Sequence, residues 1–307
     1  MHVAVSGSRG LVGSALVPFL ATGGHRVTRL VRGVAAGPDE TGWDPARDVA
    51  DPARLDGVDA VVHLAGANIA AGRWTPARKA EIRRSRVEGT RSLCEALSRL
   101  AHPPTVLVSA SAVGYYGNRG TETLTEESPA GTGFLADVCR AWEAAAQPVS
   151  QAGIRVVNLR FGMILSPLGG ALAKMLLPFK LGAGGRIGSG EQFMSWIALD
   201  DAIGAIQYAL GEESVRGPVN AVAPAPVSNT DFTRTLARVL RRPALFPLPA
   251  FAARLLFGEM ADALLLGGAR VMPARLQAAG YGFRFPELEG ALRHLLGRPA
   301  QHQGGAR

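Results

Sequence analysis

The stretch HVAVSGSRGLVGSAL, residues 2–16, decides the architecture. A short apolar run ends at Ser6, glycines follow at 7, 10 and 13, and apolar residues then recur at helical spacing from Leu11 to Ala21. A strand feeding a helix through such a loop is the context that a bare glycine pattern lacks. Gly7 suits a tight turn, Gly10 lets backbone approach a pyrophosphate, and Gly13 lets helix and strand pack closely. The helix start adds unpaired N–H groups and the positive end of a dipole.

Working outward, short β-rich runs alternate with helical patterns, which predicts a parallel sheet with helices on both faces. HRVTRLVR, VDAVVHLAG, PTVLVSASAV and IRVVNLRFGMIL read as strands, and a long helix is expected from about Pro76 to Leu100. Apolar spacing in FLADVCRAWEAAAQPVSQAG predicts another helix. Between about Gly33 and Leu55 turn residues dominate, so that side of the sheet should be abbreviated. LDDAIGAIQYAL reads as a helix with Asp200 or Asp201 near its N-cap, and GPVNAVAP as a further strand. The fold class is therefore α/β: a Rossmann doubly wound parallel sheet with a small, mainly helical C-terminal substrate lobe. The expected division is a dinucleotide-binding domain over 1–222, with 162–200 contributing to the lobe, the lobe proper over 223–296, and a flexible tail over 297–307.

Composition sets outer limits. The chain has 307 residues, 47% hydrophobic and 19% charged, with a formal net charge of +8. That balance suits a globular protein better than disorder. No apolar run reaches the roughly 18 to 20 residues of a membrane span, and no secretory signal is read at the N-terminus. Two cysteines, Cys94 and Cys139, suit a reducing compartment, so a cytoplasmic location and no membrane partner are expected. The arginines are scattered among helices rather than gathered on one face, which argues against nucleic acid and for phosphorylated small molecules. No His, Cys or Asp cluster has metal-ligand spacing.

The strand-end residues point to the nucleotide. A cofactor without a 2′-phosphate wants a carboxylate at the end of the second strand. RLVRG supplies Arg29 and Arg32 instead, with no acid beside them, and Arg9 stands in the loop. Guanidinium groups fork onto a phosphate that a carboxylate would repel. NADP(H) is expected over NAD(H), with Arg32 on the extra phosphate; the other reading of Arg32 is a solvated strand-end charge.

The motifs GSRGLVG, VVHLAGAN, SRVEGTRSL, SASAVGYYG, NLRFGMILSP and SWIALDDA resemble the extended short-chain dehydrogenase/reductases, the nucleotide-sugar epimerase and dehydratase superfamily. GGALAKMLLPFKLGAGGRIGSGEQFMSWI and the C-terminal segment from PLPAFAARLLFGEMADALLLGG onward are similar to its atypical epimerase-family branch, also labelled cell-division inhibitor-like. The resemblance spans about residues 1–296. It implies cofactor contacts at Gly7, Arg9, Gly10, Leu11, Val12, Gly13 and Arg32, at Leu64 and Ala65, and at Glu81 and Arg86. The last two read equally as an ordinary charged helix face.

The superfamily's acid/base machinery is a Tyr-x-x-x-Lys helix with a Ser or Thr on the preceding strand. Ser111, or alternatively Ser109, matches the hydroxyl. Aligned on Glu143, the helix carries Leu135 at the tyrosine position and Cys139 at the lysine position. The usual relay is therefore absent. Tyr116 or Tyr115 could donate the proton instead, or both could be aromatic walls. Tyr115, Met163, Lys174, Gln192, Met194 and Trp196 are the expected substrate-pocket residues, with Lys174 either on a substrate anion or simply solvated. The expected activity is hydride transfer on a carbonyl or sugar-nucleotide-like small molecule; the alternative is a cofactor-dependent regulator without turnover. A homodimer stays open.

Overall fold

The computed structural model describes residues 1–45 and 52–298. Most of the expected tail lies outside those residues. Seven parallel strands form the main sheet: β1 His2–Ser6, β2 Arg26–Val31, β3 Glu40–Gly42, β4 Ala60–His63, β5 Val106–Ala112, β6 Arg155–Phe161 and β7 Gly217–Ala221. Their spatial order is β3-β2-β1-β4-β5-β6-β7. The order reverses between β1 and β4, the switch point where ligands bind in such sheets.

Alternation along the strands divides the core. Val3, Val5, Val62, Val108 and Leu159 pack against Leu16 and Leu20 of α1 (Leu11–Thr22) and against the later helix Leu199–Gly211. Ala4, Val61, Leu107 and Val156 face the other way, onto Leu93, Cys94 and Leu97 of α2 (Pro76–Ser98). Side chains of successive strand residues point to opposite faces, so one short apolar run supplies both layers. The abbreviated flank is observed: β3 has three residues, and the described chain after it makes only a helical turn at Pro52–Leu55.

IRVVNLRFGMIL does not form one strand. β6 stops at Phe161, and Met163–Leu165 pairs with Trp196–Ala198 outside the main sheet. The break falls at Gly162, where a Cβ would come 2.4 Å from the Ser195 carbonyl oxygen. A glycine there allows that close backbone approach.

Among the described residues the remaining helices of two turns or more are α3 Phe134–Ala145, α4 Gly170–Lys180, α5 Leu199–Gly211, α6 Asn229–Leu240, α7 Ala250–Phe257 and α8 Leu288–Leu295. A separate apolar cluster joins Leu172, Leu176 and Phe179 of α4 to Phe232 and Leu236 of α6 and Leu292 of α8. It draws on residues before and after β7. Neither Asp200 nor Asp201 caps α5, because Ala198 holds the N-cap position. The Asp201 carboxylate instead accepts the N–H groups of Arg284 and Phe285, fastening the C-terminal chain to the helix. Among the described residues no helix is long and apolar enough to cross a membrane.

Candidate functional site

The carboxyl edge of the sheet gathers the glycine loop, the segment after β4 and the end of β5. Gly7 has φ +67°, and a Cβ on it would lie 2.7 Å from the Leu64 carbonyl carbon. A Cβ on Gly13 would lie 2.2 Å from the Gly7 oxygen. Gly10, by contrast, is exposed, and only the Gly7 oxygen at 3.2 Å would meet its Cβ. So Gly7 and Gly13 are fixed by packing, and Gly10 leaves backbone open to a ligand. No side chain caps α1 and no acid stands in its first turn. The N–H groups of Leu11, Val12 and Gly13 therefore open the helix with its positive end free for an anion. Leu64 and Ala65 form the opposite wall, pressed against Gly7.

At the ends of β2 and β3 the structure corrects the sequence reading. An acid does stand near the arginines: Glu40 of β3, opposite Arg29 in register. Its carboxylate is buried, takes the Ala36 N–H at 3.0 Å, and lies 3.3 Å from Arg29 and 3.6 Å from Arg9. The Ala36 hydrogen bond, then Arg29 and Arg9, hold its pKa below the ordinary value against the opposing effect of burial. Arg32 is exposed and makes no ion pair with Glu40, which leaves its guanidinium available. The sequence does not place Glu40 beside these arginines, because it comes from a separate, three-residue strand.

Arg86 of α2 runs beneath the segment after β4. It donates to the Ala67 carbonyl at 3.0 Å, lies 5.0 Å from the Trp142 ring, and would crowd a Cβ on Gly66 at 3.3 Å. Glu81 is exposed and pairs with Arg78.

The end of β5 is organised by a pair that sequence motifs did not single out. Arg160 of β6 and Glu143 of α3 form a two-pronged ion pair, both contacts 2.8 Å, with side-chain exposures of 3% and 11%. Ser111 donates its hydroxyl to Glu143 at 2.7 Å. Arg160 also donates to the Tyr116 hydroxyl at 2.9 Å, and that hydroxyl donates to Asn220 of β7 at 2.7 Å. Burial weakens the hold of Arg160 on its proton, but Glu143 more than reverses this, and the guanidinium stays charged. Tyr116 has no exposed surface, and burial raises its pKa against the pull of Arg160. The strand alternation explains the arrangement: Ser109 and Ser111 are buried, while Ala110 and Ala112 are the half-exposed positions. Both expected acid/base hydroxyls are thus turned into the protein.

Leu135 and Cys139 lie against Gly114, whose Cβ would be 3.3 Å from Leu135 and 3.8 Å from the Cys139 sulfur. Burial pushes the Cys139 thiol up to about 12, so it is no thiolate at neutral pH. Leu135 also joins Trp74, Ile82 and Met260 in an apolar cluster. Tyr115 is half-buried, with its ring 3.5 Å from the Arg160 guanidinium carbon. Met163 stands half-exposed opposite Trp196. Trp196 itself is fully buried in the lobe core and gives its indole N–H to the Ala225 carbonyl. It lines no cleft, because that internal acceptor removes the need for an exposed edge. Met194 accepts a contact from Asn229 at 3.4 Å, and Gln192 bridges the Ile187 and Leu265 carbonyls. Lys174 is exposed and donates to the Ala70 carbonyl at 3.1 Å. Among the described residues no His/Cys/Asp/Glu group could hold a metal ion.

His63 closes the site from below. Its ring nitrogens contact the Ser6 hydroxyl at 2.7 Å and the Thr90 hydroxyl at 3.0 Å, and burial lowers its pKa to about 4. A base depressed from 6.5 in the fold is neutral in both states above pH 6.5. As pH falls from 6.5 towards 4 only the unfolded chain takes the proton, so stability falls by about 1.4 kcal/mol per unit. Urea unfolding at pH 7 and pH 5 should show this loss, and His63→Gln should flatten it.

Against this geometry stand the relatives. Residues 3–221 match the NAD dependent epimerase/dehydratase family, and residues 248–295 match a domain of unknown function, DUF1731. An epimerase family protein of Mycobacterium bovis is 45% identical over 97% of this chain and 98% of its own. The chain belongs to the epimerase/dehydratase family. Its kinship with the human epimerase family protein SDR39U1 is 38% identity over 96% of this chain and 100% of that one. The crystal structure of human SDR39U1 (isoform 2) with NADPH superposes with a TM-score of 0.90, covering 97% of this chain and all of that one. A nucleoside-diphosphate sugar epimerase structure from Corynebacterium glutamicum gives 0.80 at 40% identity, covering 99% of this chain and 59% of that one.

Proposed function

We propose that this epimerase-family chain binds NADP(H) along the carboxyl edge of its sheet, in preference to NAD(H). The observation that carries the reading is the cradle of Gly7, Gly10 and Gly13, flanked by the exposed guanidinium groups of Arg9 and Arg32. The relative solved with NADPH supports it. In this reading the N–H groups of Leu11, Val12 and Gly13 hold the pyrophosphate, Leu64 and Ala65 form the wall beside it, and Arg86 stiffens that wall. Bound there, the cofactor supplies hydride chemistry for a carbonyl or alcohol carbon. The substrate lobe is the cluster built on α4, α6 and α8; half-exposed Met163 and exposed Lys174 would face the substrate from it, and half-buried Tyr115 from the turn after β5.

Arg32→Asp should weaken NADPH binding and lower the NADPH-to-NADH preference at least tenfold, which needs only about 1.4 kcal/mol. Fluorescence titration of both reduced cofactors checks this, and an unchanged ratio removes Arg32 from the assignment.

A second reading, a cofactor-dependent regulator without turnover, draws on one observation. The Ser111 and Tyr116 hydroxyls are committed to Glu143, Arg160 and Asn220, and Leu135 occupies the usual tyrosine position. Tyr116 then acts as a positioning residue. A carbonyl and nucleotide-sugar panel with NADPH separates the two: oxidation that survives Tyr116→Phe supports an enzyme with another proton source. Tight binding with no oxidation supports the regulator.

A further inference from the structure

We propose that the face formed by the C-terminal end of α4, residues 241–248 and α7 docks on an anionic phospholipid surface. Six large apolar side chains on it, Leu177, Leu181, Leu245, Phe246, Phe251 and Leu255, are between 65% and 75% exposed. The segments that carry them lie beside one another. Arg242 donates to the Lys180 carbonyl, Ala183 bridges Ala244, and Ile187 bridges Leu248. A Cβ on Gly185 would strike the Phe246 carbonyl at 2.0 Å, and one on Gly188 would reach Ala250 at 4.0 Å. The strip after α4 therefore lies directly on the strip that leads into α7. Scattered single apolar residues are ordinary on a surface, but a contiguous patch marks a binding face.

The surrounding charge selects the occupant. Residues 166–187 carry Lys174, Lys180 and Arg186 with no acid, and residues 232–258 carry five arginines with no acid. Lys180, Arg186, Arg241 and Arg242 are all exposed at the rim. Arg254 on α7 and Arg238 on α6 are the exceptions, since Asp262 and Glu289 neutralise them. A second copy related by a twofold axis would bring Lys180, Arg186, Arg241 and Arg242 against their own counterparts. Leucine and phenylalanine ringed by lysine and arginine match the interface of an anionic bilayer, where apolar groups enter the acyl boundary and cations meet headgroups. Contact of this kind is peripheral and agrees with the absence of a spanning helix among the described residues.

The test is co-sedimentation of the full chain with vesicles of phosphatidylcholine containing about 30% phosphatidylglycerol, beside pure phosphatidylcholine. Binding to the anionic vesicles is expected, weakened by added salt. It should fall at least about tenfold in Phe251→Ser/Leu255→Ser and in Lys180→Glu/Arg241→Glu. Unchanged thermal unfolding and NADPH titration show that these variants fold; Leu255→Ser alone serves if a double variant does not. No binding to anionic vesicles, or equal binding to both vesicle types, overturns the proposal. So does a dimer, seen by light scattering, that Phe251→Ser/Leu255→Ser converts to monomer.

Discussion

Glu143→Gln should destabilise the protein by about 3–5 kcal/mol, a large share of a typical folding free energy. Arg160 is almost wholly buried, and both of its carboxylate contacts end on Glu143. The amide keeps the shape but removes the charge and turns an N–H₂ group towards a guanidinium that can only donate. A buried cation is then left without its counter-ion, which costs far more than losing an exposed pair. The exposed pair of Arg238 and Glu289 gives the comparison, since Arg238→Ala should cost under about 1 kcal/mol. The Ser111 hydroxyl and the Tyr116 ring lose their common support at the same time. Thermal and urea unfolding measure the difference. Wild-type stability in Glu143→Gln would mean that the pair does not organise the end of β5.

Gly13→Ala should abolish cofactor binding, with a loss of affinity of at least about a hundredfold. Its Cβ would meet the Gly7 oxygen at 2.2 Å and the Ser8 Cα at 2.7 Å, and both are backbone atoms that no rotamer change can move. Relief requires that α1 shift away from β1, which takes the N–H groups of Leu11 and Val12 out of position. Gly24→Ala is the control. Alanine there carries the strain of a positive φ, +81°, which Gly13 does not have, but its Cβ would meet nothing within 4 Å. That change should cost about 1 kcal/mol of stability and leave the cofactor titration unaltered. If Gly13→Ala binds NADPH normally, the close packing of strand and helix is not what shapes the site.

The order of elements was legible because each strand is a short apolar run and each helix repeats at its own period. The loop of Gly7, Gly10 and Gly13 was legible for a different reason: its spacing encodes a steric requirement that survives in the sequence. What escaped reading depends on contacts between distant residues. Glu40 reaches Arg9 and Arg29 only because β3 lies beside β2, and Arg160 finds Glu143 only when β6 lies beside α3. The motif around Trp196 suggests a pocket wall, yet the nearby Ala225 carbonyl lets it be buried outright. Tyr115 and Tyr116 are adjacent in sequence and differ in fate. One ring lies half-buried over Arg160, whereas the other hydroxyl is enclosed between Arg160 and Asn220. Polar burial of that kind follows from tertiary neighbours, which local pattern does not record.

The most direct check is a pair of dissociation constants, for NADPH and for NADH, measured by equilibrium dialysis on the intact chain. Saturable uptake of NADPH, at least about tenfold tighter than NADH, is the predicted result. Equal affinities would contradict the guanidinium preference, and no uptake of either would contradict the glycine cradle itself.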